Sequence, residues 1–244
     1  MTAGARGLIS PAGAHVIVVG AEKQAAGKTT IALHLATALA RAGRRIGVLD
    51  LDSSRRALSR FVAGRDVAGL EPLAPVDEAA FVSHLRHLSG RCAYVVIDTS
   101  HAEASLTAAA HACADTLVTV LTEAGGLGVA APGASLVPSA YSDMVWDSRK
   151  QKAQARGAAI DWVVLRNRAA SGVDPGLTAL SSRIGFRAAS GLSERPILRD
   201  LFAQGRTLLD AAGPLNMAHI AARQELRELL TALKLPDLRS AAAA

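Results

Sequence analysis

Residues 15–20, His15-Val16-Ile17-Val18-Val19-Gly20, and residues 22–30, Glu22-Lys23-Gln24-Ala25-Ala26-Gly27-Lys28-Thr29-Thr30, are the stretch on which the fold turns. The first is a short apolar run, suited to a strand buried on both faces. Behind the second, Ile31, Leu35 and Leu39 recur at helical spacing, so a helix is expected over 29–42. Gly27-Lys28-Thr29 therefore falls at a strand-to-helix junction and reads as the end of a phosphate-binding loop. Backbone N–H groups of Gln24, Ala25, Ala26, Gly27 and Thr30, with the helix N-terminus behind them, would hold phosphate. Lys28 would pair the β and γ oxygens and Thr29 would hold Mg²⁺. The plain alternative is a capping Thr beside a solvated Lys.

Working outward, the alternation of strand and helix continues. Apolar runs at 45–50, 93–98, 115–121 and 161–166 read as strands. Helical spacing is expected over 77–88, 102–114, 141–156, 174–184 and 218–234, with a helix beginning within 53–63. Residues 64–76 read as a Gly/Pro-punctuated loop, and 123–134 as a loop or broken helix start. This predicts a single α/β domain over 15–235, its mainly parallel twisted sheet flanked by helices on both faces. Residues 1–14 are expected to be a flexible extension and 236–244 a flexible tail. Three carboxylates, Asp50, Asp52 and Asp98, lie at strand ends, the edge where ligands sit in parallel sheets. A carboxylate there can order Mg²⁺ waters or position an attacking water, or it can simply cap the next helix.

Composition narrows the classes. The chain has 244 residues, half of them hydrophobic, enough for one full core and too apolar for disorder. No apolar run reaches the roughly 18 residues of a membrane span, and the start has no signal-peptide pattern. Cys92 and Cys113 cannot form a metal site or a disulfide framework by themselves and read as core residues. A cytoplasmic protein is expected. Charge is uneven: residues 1–139 carry 12 basic and 11 acidic side chains, residues 140–244 carry 15 and 10. The excess in the C-terminal part suggests an anionic partner such as nucleic acid, or a solvated Arg-rich face.

These residues resemble the deviant Walker A family of ParA and MinD ATPases, whose K-G-G-x-G-K-[ST]-[ST] pattern falls on residues 23–30. Within it the MipZ branch, ATPases that position the division plane, is the most similar. The likeness lies in KTTIALHLATALARAGRRIGVLDLD (28–52), SAYSDMVWDSRKQKAQ (139–154), DWVVLRNR (161–168), TLLD (207–210) and HIAARQELREL (219–229). It covers most of 15–235, with 99–138 matching poorly. The resemblance implies an ATP- and Mg²⁺-dependent homodimer in which Lys23 reaches the partner's phosphates. Asp52 would serve hydrolysis, Thr29, Asp50 and Asp98 the magnesium shell, and Asn167 the adenine. It further implies nonspecific DNA binding and nucleoid association, ParB-like and FtsZ-like protein partners, and no membrane. Arg195 and Arg199, four apart around Pro196, would share a helix face and meet DNA phosphates.

The chain departs from the family where backbone fit matters. Gln24 and Ala25 replace two glycines; an L-residue forced to positive φ costs roughly 1–2 kcal/mol, so nucleotide affinity could fall about tenfold. Thr99-Ser100-His101 replaces Thr-Pro-Gly. A slow ATPase switch is the leading reading. A non-hydrolysing binding module on the same fold is the first rival, and a P-loop metabolic ligase the second. Arg149, Lys150, Lys152 and Arg156 read as plain basic surface, Trp146 and Trp162 as core anchors. The His84/His87 pair lacks partners for a metal, and the last helix reads as core-packing rather than a membrane anchor.

Overall fold

A computed structural model describes residues 13–64, 67–74, 77–122, 127–129, 137–169, 172–210 and 216–236. The expectations for 1–12, most of 123–134 and 237–244 lie outside the described residues. The first strand, β1 (His15–Gly20), is followed by α1 (Lys28–Arg41), β2 (Ile46–Asp50), α2 (Ala57–Ala63), β3 (Leu70–Leu73), α3 (Glu78–Ser89) and β4 (Tyr94–Asp98). Next come α4 (Ala104–Cys113), β5 (Thr116–Leu121), a two-stranded antiparallel pair of β6 (Gly128–Val129) and β7 (Val137–Pro138), α5 (Ala140–Arg156) and β8 (Asp161–Arg166). The chain continues through α6 (Pro175–Ile184), β9 (Arg187–Ser190), α7 (Pro196–Ala203), a 3-10 turn (Leu208–Asp210) and α8 (Met217–Leu233).

Seven strands form one parallel sheet in the order β3-β2-β4-β1-β5-β8-β9. The apolar run of β1 is explained by its central place: Ile17 and Val19 face one core, Val16 and Val18 the other. Helices α1, α2, α7 and α8 cover the first face, and α3, α4, α5 and α6 the second. Each face buries a continuous apolar layer, the arrangement that parallel sheets require. Cys92 and Cys113 are buried and not joined in a disulfide, as their apolar neighbours in sequence suggest. Ala222, Leu226, Leu229 and Leu233 of α8 are buried in the first core. Among the described residues no helix is long and apolar enough to cross a membrane.

Two expectations need correction. Residues 70–73 are not loop but the edge strand β3, paired among the described residues with β2 alone. An edge strand tolerates Pro72 because one side needs no ladder donor. Trp162 is a core anchor, 1% exposed, but Trp146 is not: it is 38% exposed, with Arg149 stacked 4.9 Å from its ring centroid. The register carries most consequence. Val19 and Asp50 both sit level with Asp98, so the loop leaving β1 and two acids meet at the carboxyl edge of three adjacent strands.

Candidate functional site

The loop between β1 and α1 turns on two residues with positive φ. Gly27 sits at φ 96 and Ala25 at φ 58; Gln24 does not share this conformation. Of the two lost family glycines, only the one at Ala25 occupies a position that strains an L-residue. At Gly27 a Cβ would lie 2.3 Å from the Asn167 amide nitrogen, so only glycine fits there. Gly27 is also the N-cap of α1, which has no side-chain cap and no acid in its first turn. In contrast, α3, α5, α6 and α8 each carry a capping side chain, from Asp77, Ser139, Asp174 and Asn216. An uncapped N-terminus with its positive end toward a cavity suits an anion.

That cavity, about 400 Å³, is lined by Gln24 through Thr30, by Asp50, Asp52 and Asp98, and by Asn167, Arg195 and Arg199. All the expected site residues except Lys23 therefore come together. Lys23 is exposed and outside the lining. Asp98 is buried; one carboxylate oxygen accepts a hydrogen bond from the Thr29 hydroxyl at 2.6 Å, and the other has no partner. Burial, with Asp50 and Asp52 nearby, pushes its carboxyl up to about 7 against the opposing pull of Thr29 and Lys28. An orphaned buried carboxylate oxygen beside a Thr hydroxyl fits a hydrated divalent cation. Among the described residues no group of three or more His, Cys, Asp or Glu could hold a metal alone. A Mg²⁺ completing its shell with water and phosphate needs no such group.

Asp50 accepts from the Asp52 N–H at 3.1 Å and from the Ser59 N–H in α2 at 2.9 Å. Burial pushes its carboxyl up, and those hydrogen bonds pull it back. Asp52 opens a tight turn, its Oδ1 accepting from the Ser54 N–H at 3.2 Å, the Ser54 hydroxyl at 2.7 Å and the Arg55 N–H at 2.9 Å. Partial burial raises this carboxyl, but the hydrogen bonds from Ser54 and Arg55 outweigh it and hold it below the usual range. Desolvation lowers the Lys28 ammonium, offset in part by Asp98 and Asp52.

Asn167 is committed on both sides of its amide. It donates to the Ala26 carbonyl at 2.9 Å and accepts from the Leu192 N–H at 3.1 Å. It thus clamps the phosphate-loop backbone to the end of β8, which the sequence did not reveal. Arg195 donates at 2.7 Å to Glu225, whose side chain is 5% exposed, so it ties the start of α7 to α8. Arg199 is exposed and pairs with Glu194 at 3.1 Å. In the basic run on α5, Lys152 is buried against Asp115 and the Ala114 carbonyl, and Arg149 caps the end of α6 through the Gly185 carbonyl. This corrects the reading of that run as plain surface. Arg55, His101 and Arg168 also line the cavity. No motif marked them; the signal for Arg55 was its place three residues after Asp52.

Solved structures with this fold include the MinD cell division protein of Aquifex aeolicus, 19% identical over 89% of this chain and 97% of that chain, TM-score 0.60. The septum site-determining protein MinD of Pyrococcus horikoshii OT3, complexed with Mg-ADP, is 15% identical over 95% and 99%, TM-score 0.59. A plasmid partition protein of Borrelia burgdorferi B31 bound to AMPPNP is 15% identical over 89% and 98%, TM-score 0.54. At such identities the likeness is one of fold. No curated protein sequence matches the chain. The family described as ATPase MipZ, however, matches residues 15–71 and 74–237. Since that match spans nearly the whole α/β domain and both sides of the cavity, the chain belongs to the MipZ ATPase family, related in fold to the partition and division ATPases.

Proposed function

We propose that residues 15–235 form a slow ATP-dependent switch. It binds ATP with Mg²⁺ in the cavity, dimerises on it, and as a dimer engages nonspecific DNA while regulating the division site or chromosome position. One observation carries the nucleotide part: Lys28 and Thr29 open an uncapped helix at the same sheet edge as Asp50, Asp52 and Asp98. In this reading the N–H groups of 24–30 and Lys28 hold the phosphates. Thr29, with Asp98 and Asp50 behind it, holds a Mg²⁺ that would draw charge off the phosphate oxygens. Asp52, kept ionised by its turn, orients the attacking water. The nucleotides that accompany two of the similar structures support this ligand class.

Lys23, exposed and outside the cavity lining, would serve a second subunit in this reading, a role that rests on the resemblance. Asn167 would meet the base by resemblance, although its amide already holds the loop. ParB-like and FtsZ-like partners, and residence on the nucleoid, rest on the resemblance. Titration calorimetry with ATP and Mg²⁺ tests the core claim. Wild type should bind in the micromolar range or weaker, and Lys28→Ala should lose binding; unchanged affinity in that variant would remove the assignment. The strain at Ala25 favours a second reading, a binding module without turnover. Equal phosphate release by wild type and Asp52→Ala would favour that module.

A further inference from the structure

The cavity holds more cation than the phosphate loop supplies, and the arginines around it are not equivalent. Arg168 pairs with Glu194 at 3.4 Å, Arg195 with Glu225 at 2.7 Å and Arg199 with Glu194 at 3.1 Å. These three are engaged on the α7 side. Arg55 lines the same cavity and forms no ion pair among the described residues. Its backbone is held firmly. Its N–H donates to Asp52 at 2.9 Å, and the next residue, Arg56, donates from its N–H to the Asp52 carbonyl at 2.9 Å. Arg56 adopts φ 47, a conformation that persists in a non-glycine residue only where the surroundings impose it. The turn is tied to the start of α4 by the Ser53 hydroxyl, which donates to Glu103 at 2.6 Å.

We propose that Arg55 is the side chain by which this protein distinguishes a nucleoside triphosphate from a diphosphate, its guanidinium pairing the terminal phosphate within the same subunit. The proposal rests on the nucleotide reading above and adds the residue that reads the γ-phosphate. Asp50, Asp52 and Asp98 put three carboxylates at the edge where that phosphate would arrive, with Lys28 in the same lining. The hydrogen bond from its backbone N–H to the Asp52 carboxylate sets Arg55 at this acidic end of the cavity. A planar guanidinium matches phosphate oxygens in pairs and stays charged at any working pH. A diphosphate, held by Lys28 and the loop N–H groups, would not reach it.

The test is calorimetry with Mg·AMPPNP and with Mg·ADP on the wild-type chain, Arg55→Ala and Lys28→Ala, with melting curves without nucleotide. Arg55→Ala should weaken AMPPNP by about tenfold or more and leave ADP within about twofold. Lys28→Ala should lose both. If Arg55→Ala weakens both ligands equally, or neither, Arg55 does not read the γ-phosphate, while the Lys28 result still upholds the site. If wild type binds neither ligand, the nucleotide reading falls and takes Arg55 with it. Should Arg55→Ala melt lower without nucleotide, Arg55→Gln, which keeps the stem and removes the charge, is measured against the same outcomes.

Discussion

Ala25 and Gly27 stand two residues apart with positive φ, yet they answer to different constraints. Ala25 is exposed, so its Cβ strains only its own backbone. Ala25→Gly should relieve about 1–2 kcal/mol of that strain, less about 0.5–1 kcal/mol for the freer unfolded glycine. A gain of up to about 1.5 kcal/mol is expected, visible as a rise of up to roughly 3–6 °C in melting temperature, with nucleotide affinity rising in step. No change in either would mean that the loop carries no strain at Ala25. Gly27→Ala should act the other way. Its Cβ would displace the Asn167 amide, which holds the Ala26 carbonyl, so stability and any nucleotide affinity fall together.

Helices α4 and α5 are joined to the sheet by polar groups inside the second core. Lys152 of α5, its side chain 3% exposed, donates at 2.5 Å to both the Ala114 carbonyl and Asp115, and Asp115 also accepts from the Val16 N–H at 2.8 Å. Removing one partner of a fully buried pair costs about 3–5 kcal/mol. Asp115 is partly exposed, so Lys152→Met should cost roughly 2–4 kcal/mol in denaturant unfolding. A loss below about 1 kcal/mol would mean the pair is solvated. His111 of α4 lies edge-on to Tyr141 of α5, ring centroids 5.7 Å apart, and neither ring nitrogen has a partner. Burial alone holds its imidazole down to about 4. Between there and the ordinary value near 6.5, the unfolded chain binds the extra proton and the folded one does not, so stability falls as pH drops through this window. The loss should approach about 3 kcal/mol at the acid end. His111→Leu should flatten that limb, and an unaltered pH profile would exclude His111 as its source.

Across the whole molecule, the five excess positive charges of residues 140–244 are not all available to a partner. Lys152, Arg187 and Arg195 are spent on internal pairs with Asp115, Asp161 and Glu225. Arg199 remains exposed. If dimers bind DNA, Arg199→Ala should weaken nonspecific duplex binding and make the log–log salt slope shallower by about one unit per subunit. Arg195→Ala should chiefly lower stability, because it removes the cation paired with the buried Glu225, which also accepts hydrogen bonds from Ser193. Gel shifts across a salt series, with melting curves beside them, separate the two effects. An unchanged slope in Arg199→Ala would put the DNA surface elsewhere on the molecule.

The sequence alone determined the α/β class, the place of the phosphate loop and the three acids at strand ends. Those features are local: hydrophobic period, a strand-to-helix junction and chain order suffice to read them. It also carried the family resemblance through 28–52, 139–154 and 161–168. Other features became legible only in three dimensions. The edge strand at 70–73 looked like loop because Pro72 and Gly69 mark turns in isolation, and only its pairing with β2 supplies the missing order. Gln24 and Ala25 looked equivalent as lost glycines until backbone φ separated them. Arg195 and Arg199 looked like a matched pair by spacing, yet one is claimed by a glutamate 30 residues away and the other is exposed. Asn167, 141 residues beyond Ala26, became the clamp on the phosphate loop by the same route. Spacing along a chain sets which residues share a helix or strand, but partners come from the packing of distant segments, and it is the partner that decides whether a charge is spent or offered.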